Sequence, residues 1–267
     1  MKLDNILLTI EYDGTRFSGW QRQATDPSIQ ATIEDVLREF TGRKIVLYGA
    51  SRTDAGVHAK GQMANFETLP KMAPDKWARF LNSALPRSIR IINSQKVAER
   101  FHAQKMAVSK VYEYRLMQRN CPSALDPTVA FYPMPLNWQA IRQAMGFFIG
   151  EHDFKAFQGA RASVLTTVRK ITRFDLFEEG NGLYRFEIEG NGFLKQMVRA
   201  IIGTLIEVGA GKRSIESVQS IISSRDRRQA GYTADAAGLC LVRVNYSHDG
   251  FFNGSEKAMP VAGSVAF

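Results

Sequence analysis

Apolar positions along this chain keep two rhythms. In several short runs every second residue is apolar or β-branched, the pattern of a strand with one face inward. Such runs cover Ile6–Tyr12, Lys44–Ala50, Gly61–Glu67, Ser88–Val97, Ser109–Met117, Val168–Phe177, Leu183–Gly190 and Gly238–Tyr246. Elsewhere the spacing lengthens to three and four. Ile29, Ile33, Val36, Leu37 and Phe40 then share one helical face, with Ser28 placed to cap it. The same spacing predicts helices over 75–85, 137–149, 193–209 and 214–223. The stretch EEGNG (178–182) between two strand-like runs reads as a hairpin turn.

Four prolines, Pro122, Pro127, Pro133 and Pro135, mark the region 120–135 as a crossover between halves. The order of elements is similar on both sides of it, although no repeat is visible in the residues themselves. Helices and paired strands in both halves predict an α+β chain of two similar α/β lobes, each a sheet with helices on one face, and a cleft between them. The lobes are set at 1–119 and 120–246. Residues 247–267 carry little periodicity and read as a tail or as an arm over a partner.

Composition narrows the function. With 267 residues, 45% of them hydrophobic and 23% charged, the chain has the make-up of a globular protein with a core. Its formal charge of +9 favours a polyanionic partner, nucleic acid before membrane. Only Cys121 and Cys240 are present, which makes neither a disulfide framework nor a zinc site and suits a reducing cytoplasm. The N-terminal stretch lacks the unbroken apolar core of a signal peptide, and no apolar run is long enough to span a membrane.

One turn concentrates the polar chemistry. Residues 49–66, GASRTDAGVHAKGQMANF, place Ser51, Arg52, Thr53, Asp54, Gly56 and His58 between two apolar runs. Asp, Thr and Gly are turn formers in their own right. Asp54 with His58 suggests metal, yet no second histidine stands at ligand spacing among the four in the chain. Ser51, His58 and Asp54 are too crowded for a relay. No glycine-rich phosphate loop with a following Lys-Ser or Lys-Thr occurs.

The stretch ASRTDAGVHAKGQ resembles the signature of the TruA family of tRNA pseudouridine synthases. Further blocks match in the same order: EYDGTRFSGWQRQ (11–23), SIQATIE (28–34), LNSALPRSIRI (81–91), RFHA (100–103), KVYEYRL (110–116), GEHDFKAF (150–157), NGFLKQMVRAIIGTL (191–205) and AAGLCL (236–241). The chain departs from the family at Gln104-Lys105, where many relatives carry Arg-Phe, and at Asp235. The resemblance implies two lobes joined in one extended, mainly antiparallel sheet around a central cleft. It implies Asp54 as the catalytic carboxylate, acting as nucleophile or base, and Arg199 as its cationic partner. Tyr112 would lie against the target uracil, with Tyr114 the competing tyrosine on the same face. Arg52 would help turn the nucleotide out of its stack. His58, Lys60, Arg22, Lys110 and Lys195 are further candidates for contact with RNA, and Lys105 and the basic run Arg225, Arg227 and Arg228 add to the positive surface. A homodimer acting on uridines 38, 39 and 40 of the tRNA anticodon arm is implied, with no metal or prosthetic group. A tRNA-binding protein without catalysis is the alternative of another class, and a metal-dependent hydrolase is a second.

Overall fold

The computed structural model describes residues 2–160 and 164–247. In chain order these form β1 (Asp4–Tyr12), α1 (Ile29–Thr41), β2 (Tyr48–Gly49), β3 (His58–Thr68), α2 (Lys76–Ala84), β4 (Ile89–Val97), β5 (Ala107–Gln118), β6 (Ala130–Tyr132), α3 (Trp138–Met145), β7 (Gly150–Asp153), β8 (Val168–Gly180), β9 (Leu183–Gly190), α4 (Met197–Gly209), α5 (Ser217–Ser224) and β10 (Leu239–Tyr246). The strands make a single ten-stranded sheet in the order β4-β1-β3-β10-β5-β9-β8-β7, with β2 added to β3 and β6 to β5. Only β3–β10 and β5–β6 run parallel; the other pairs are antiparallel. The expected α+β architecture and extended sheet are therefore present.

Period two sorts the sheet into unlike faces. On β5, Tyr112, Tyr114 and Leu116 point one way and pair across β9 with Ile188, Phe186 and Tyr184. Helices cover this face: Trp138 of α3 stacks on Tyr184 at 3.5 Å, and Trp77 of α2 meets Phe66 of β3 edge-on at 5.2 Å. The intervening β5 positions, Glu113 and Arg115, point to the other face, where charges alternate across strands. There Glu113 meets Lys60 at 3.3 Å and Arg185 at 3.5 Å, and Arg185 meets Glu187 at 3.1 Å. Arg173 closes on Glu187 next.

Helix α1 starts where its cap says: Ser28 Oγ accepts the Ala31 N–H. Ile29, Ile33 and Leu37 are buried beneath it. Helix α4 is apolar almost all round because it has neighbours on every side. Gly203 lies so close to the Tyr232 carbonyl that a Cβ would stand 1.8 Å from it, and Gly231 packs likewise on Thr204. The segment 230–234 thus straps α4 down, and Thr204 Oγ1 accepts the Gly231 N–H at 2.9 Å.

Several boundaries differ from the periodicity. The expected strand at 44–50 pairs only at Tyr48 and Gly49. Strand β3 begins at His58, three residues early. Helix α3 stops at Met145 and tightens into a 3-10 turn over Gly146–Phe148. Helix α4 starts at Met197 and not at Phe193, because Gln196 takes the left-handed conformation at φ 59. Strands β6 and β7 are too short for alternation to show them. Of the expected tail, all residues after Ser247 lie outside those described.

Candidate active site

Residues 50–57 cross the junction where β3, β10 and β5 meet, and the path of this turn is fixed from both sides. Gln62 of β3 is fully buried. Its Oε1 accepts the Ser51 N–H at 3.2 Å and its Nε2 donates to the Ser51 carbonyl at 2.6 Å. One side-chain amide so replaces a strand partner for the residue that opens the turn. From the other side the loop 13–20 presses backbone on backbone. Trp20 N–H donates to the Thr53 carbonyl at 3.0 Å and Gly56 N–H to the Phe17 carbonyl at 3.3 Å. The approach requires glycine: a Cβ on Gly14 would stand 2.0 Å from the Val57 carbonyl, and one on Gly19 2.5 Å from that of Thr53. Thr53 Oγ1 and Tyr12 Oη share a buried hydrogen bond of 2.7 Å.

The turn held in this way presents Asp54 to the start of α4. The backbone N–H of Gln196 is directed toward the Asp54 carboxylate, which also feels the charges of Arg199 and Lys195. The left-handed backbone at Gln196 is what turns that N–H outward ahead of the helix. Partial burial is the larger influence and lifts the Asp54 carboxyl above the usual carboxylate range; the two cations and the amide pull the other way. Arg199 does not close on Asp54 within ion-pair distance among the described residues. Its Nε donates to the Ala234 carbonyl at 2.7 Å, in the strap across α4, while Ala234 N–H returns to the Arg199 carbonyl. Lys195 is exposed and its Nζ donates to the Ala160 carbonyl at 3.2 Å.

Tyr112 comes up from β5 beneath the same turn. Its Oη and Ser51 Oγ share a hydrogen bond of 2.8 Å, and its ring meets Phe193 edge-on at 5.2 Å. Burial raises the phenol well above its ordinary range, and the nearby Asp54 charge adds to this. The group stays a neutral donor and acceptor within the site. Tyr114, on the same face, feels Asp235, Tyr232 and Arg199 rather than Asp54.

The remaining candidates divide. Arg52 is exposed on the turn itself. His58 is buried, with Nδ1 accepting the Gly14 N–H at 3.2 Å and lying 3.2 Å from Asp13. Burial lowers its pKa against the pull of Asp13, and Nε2 is directed toward the Ala237 backbone without a hydrogen bond of ordinary geometry. Its described contacts bind the loop 13–20 to the turn. Lys60 pairs with Glu113 on the opposite face of the sheet. Arg22 is tied to Glu34 at 2.7 Å and to Asp35 at 3.0 Å on α1. Lys110 shares the Tyr112 face. The structure therefore groups Asp54, Tyr112, Arg199 and Lys195, puts Arg52 beside them, and gives His58, Lys60 and Arg22 other partners. Gln62 and Gln196 are added. Gln62 stands inside the signature stretch, whereas nothing in the sequence marks the backbone of Gln196. Among the described residues no three His, Cys, Asp or Glu side chains gather as metal ligands.

The arrangement is a carboxylate with a raised pKa, held at a helix start between cations and next to a buried phenol. It can donate an electron pair to carbon or take a proton, and it can stabilise positive charge developing opposite it. Comparison with known proteins gives the family. A family profile described as tRNA pseudouridine synthase matches residues 8–104 and 144–247. A protein of Acetivibrio thermocellus named tRNA pseudouridine synthase A is 45% identical over 243 residues, 91% of this chain and 99% of its own length. tRNA pseudouridine synthase A 2 of Clostridium perfringens is 42% identical over the same shares. A namesake from Geobacter sp. strain M21 is 42% identical over 244 residues.

Proposed function

Because this chain belongs to the tRNA pseudouridine synthase family, we propose that it isomerises uridine to pseudouridine in tRNA, at positions 38, 39 and 40 of the anticodon arm. One observation carries the reading: the carboxylate of Asp54, with its pKa raised, sits between the Gln196 N–H, Arg199 and Tyr112. The reaction breaks the N1–C1′ bond, turns the uracil over, joins C5 to C1′, and transfers the C5 proton away while N1 gains one. It needs no net redox change. Asp54 serves as nucleophile or base, and its charge steadies the cationic sugar formed as the base departs. Arg199 and the start of α4 keep the carboxylate ionised as the cleft is desolvated. Tyr112 lies against the uracil, and its Oη hydrogen bond to Ser51 fixes the ring where the C5 proton must leave. Arg52 on the rim supports the extruded nucleotide. The protein acts as a homodimer in the cytoplasm; no helix among the described residues is long and apolar enough to cross a membrane. The test is release of tritium from C5-labelled uridine in tRNA by purified protein. Release by wild type and none by Asp54→Asn supports the reading; RNA binding without release by wild type would identify a protein that binds and does not catalyse.

A further inference from the structure

Several half-buried cations have a carboxylate: Arg115 has Asp126 at 3.1 Å, Arg173 has Asp175 and Glu187, Arg185 has Glu113, Glu179 and Glu187, and Arg213 has Glu207. Arg90 and Arg227 reach backbone carbonyls across a turn instead. Lys110 and Arg169 differ from both groups in lying next to each other with no carboxylate at ion-pair distance among the described residues. Lys110 follows period two onto the face of Tyr112, two residues away, and the strand register sets it opposite Gly190 of β9 and Val244 of β10. Neither neighbour offers charge, and Gly190 has no side chain to fill the face beside the lysine. The one charged group acting on the ammonium among the described residues is another cation, Arg169.

Arg169, at the start of β8, is no better supplied. Its Nη1 donates to the Thr166 and Val168 carbonyls at 2.9 and 2.6 Å, both neutral and both local. Its Nε lies 3.5 Å from the position a Cβ would take on Gly192. The neighbouring carboxylate, Glu189, sits on the other face of the sheet, where Ser109 and Asn245 hold it at 2.6 and 3.1 Å. Two cations side by side, partly out of water and without an anion among the described residues, raise the energy of the folded chain. Their place explains what is missing. The loop 191–196 runs from them to the catalytic turn: Gly192 lies by Arg169, Phe193 packs on Tyr112, and the Gln196 N–H is directed toward Asp54.

We propose that Lys110 and Arg169 form a phosphodiester subsite, which grips an RNA backbone phosphate adjoining the nucleotide held at Asp54 and Tyr112. The proposal rests on the functional reading above and says where in the cleft the charge of the RNA is met. A planar guanidinium beside a point-like ammonium suits a tetrahedral anion with several acceptor oxygens. The opposite face of the sheet cannot do this, because Lys60, Arg173 and Arg185 are already neutralised there.

The experiment compares wild type, Lys110→Met and Arg169→Gln for tRNA affinity across a salt series, for Tm without RNA, and for pseudouridine formation. Each variant is expected to bind tRNA about tenfold more weakly, with a log–log salt slope less steep by about 0.7–0.9. Lys110→Met should melt no lower than wild type, since it removes a desolvated ammonium that nothing balances. Burial brings that ammonium down to about 8. Facing it are Arg169 from β8, Gly190 from β9, Val244 from β10 and the Phe193 loop, with no acid among them. A bound phosphate would raise its pKa again, so calorimetry near pH 8.5 should show proton uptake on tRNA binding in wild type and its loss in Lys110→Met. Unchanged affinity and slope in both variants would overturn the subsite, as would a lower Tm in Lys110→Met with a wild-type slope. Tight binding of inorganic phosphate that both variants abolish without altering the tRNA slope would also overturn it, in favour of a free-anion site. Absence of pseudouridine from the wild-type reaction strikes the functional reading instead, because the salt slopes report binding alone.

Discussion

Asp54 is a carboxylate that the fold makes slightly uncomfortable, and this sets the sign of what its removal does. Its pKa is raised in the folded state, so the folded protein holds the proton more tightly than the unfolded chain does. Stability from this group is therefore full below the unfolded value of about 3.9 and falls as pH rises through the folded value. Asp54→Asn is expected to abolish turnover while melting at or above the wild-type temperature at pH 7 to 8, with the difference shrinking at acid pH. Calorimetric melts of both proteins over that range check it; a marked loss of Tm in the asparagine variant would make Asp54 a structural turn residue. Gln62 should behave in the opposite way. Gln62→Leu leaves the Ser51 N–H and carbonyl buried without partners, a cost of about 2–4 kcal/mol. Urea unfolding should show it, and activity should fall along with stability because the turn loses its seat.

Among the elements, α4 shows both the reach and the limit of reading the sequence. Its apolar residues are spaced so densely that the helix is plain from composition, and Arg199 is placed correctly on it. Its first residue is not. Periodicity runs smoothly back to Phe193, whereas the backbone breaks at Gln196, which takes the left-handed conformation and directs its N–H toward Asp54. Glutamine is not a residue that advertises φ 59, so nothing local predicts it. His58 shows a different limit: it stands four residues from Asp54 in sequence, but β3 has already begun there and carries its ring to Gly14 and Asp13. The signature stretch singles out the turn without saying which of its side chains lie near Asp54. Two substitutions isolate the backbone at Gln196. Gln196→Gly keeps the N–H and eases the left-handed conformation, so activity should persist and stability should rise by up to about 1 kcal/mol. Gln196→Pro removes the N–H and forbids a positive φ, so turnover should be lost, with a rise in the apparent acid-limb pKa of any residual rate. Equal rates in the two variants would show that the Gln196 amide contributes nothing to Asp54.

At the scale of the molecule, charge is divided by face. Cations on one side of the sheet are matched to carboxylates, while Lys110 and Arg169 on the other face have none at ion-pair distance among the described residues. For about six neutralised phosphates the slope of log affinity against log salt is expected near −4 to −5; filter binding between low and moderate salt measures it, and a flat line would assign the +9 charge another purpose. The proposed homodimer makes a separate claim. If the second subunit grips the distant part of the tRNA, a stem-loop alone should react far more slowly than the full molecule, and light scattering should find two chains at micromolar concentration. A monomer that treats both substrates alike would refute it. A last consequence comes from β10. This strand, the final one described, lies between β3 and β5 and is the sole bridge between them in the sheet. On the ribosome β5 is finished at Gln118, but β10 is not complete until Tyr246. At ordinary speeds of synthesis the interval is roughly 6 to 26 seconds. For that time the parts of the two edges that β10 will cover, His58–Ala59 of β3 and Ala107–Tyr114 of β5, stay open to pairing with another nascent chain. The sheet is thus joined by its last described strand, and a polypeptide released before residue 239 would hold Asp54, Tyr112 and Arg199 without the strand that ties β3 to β5.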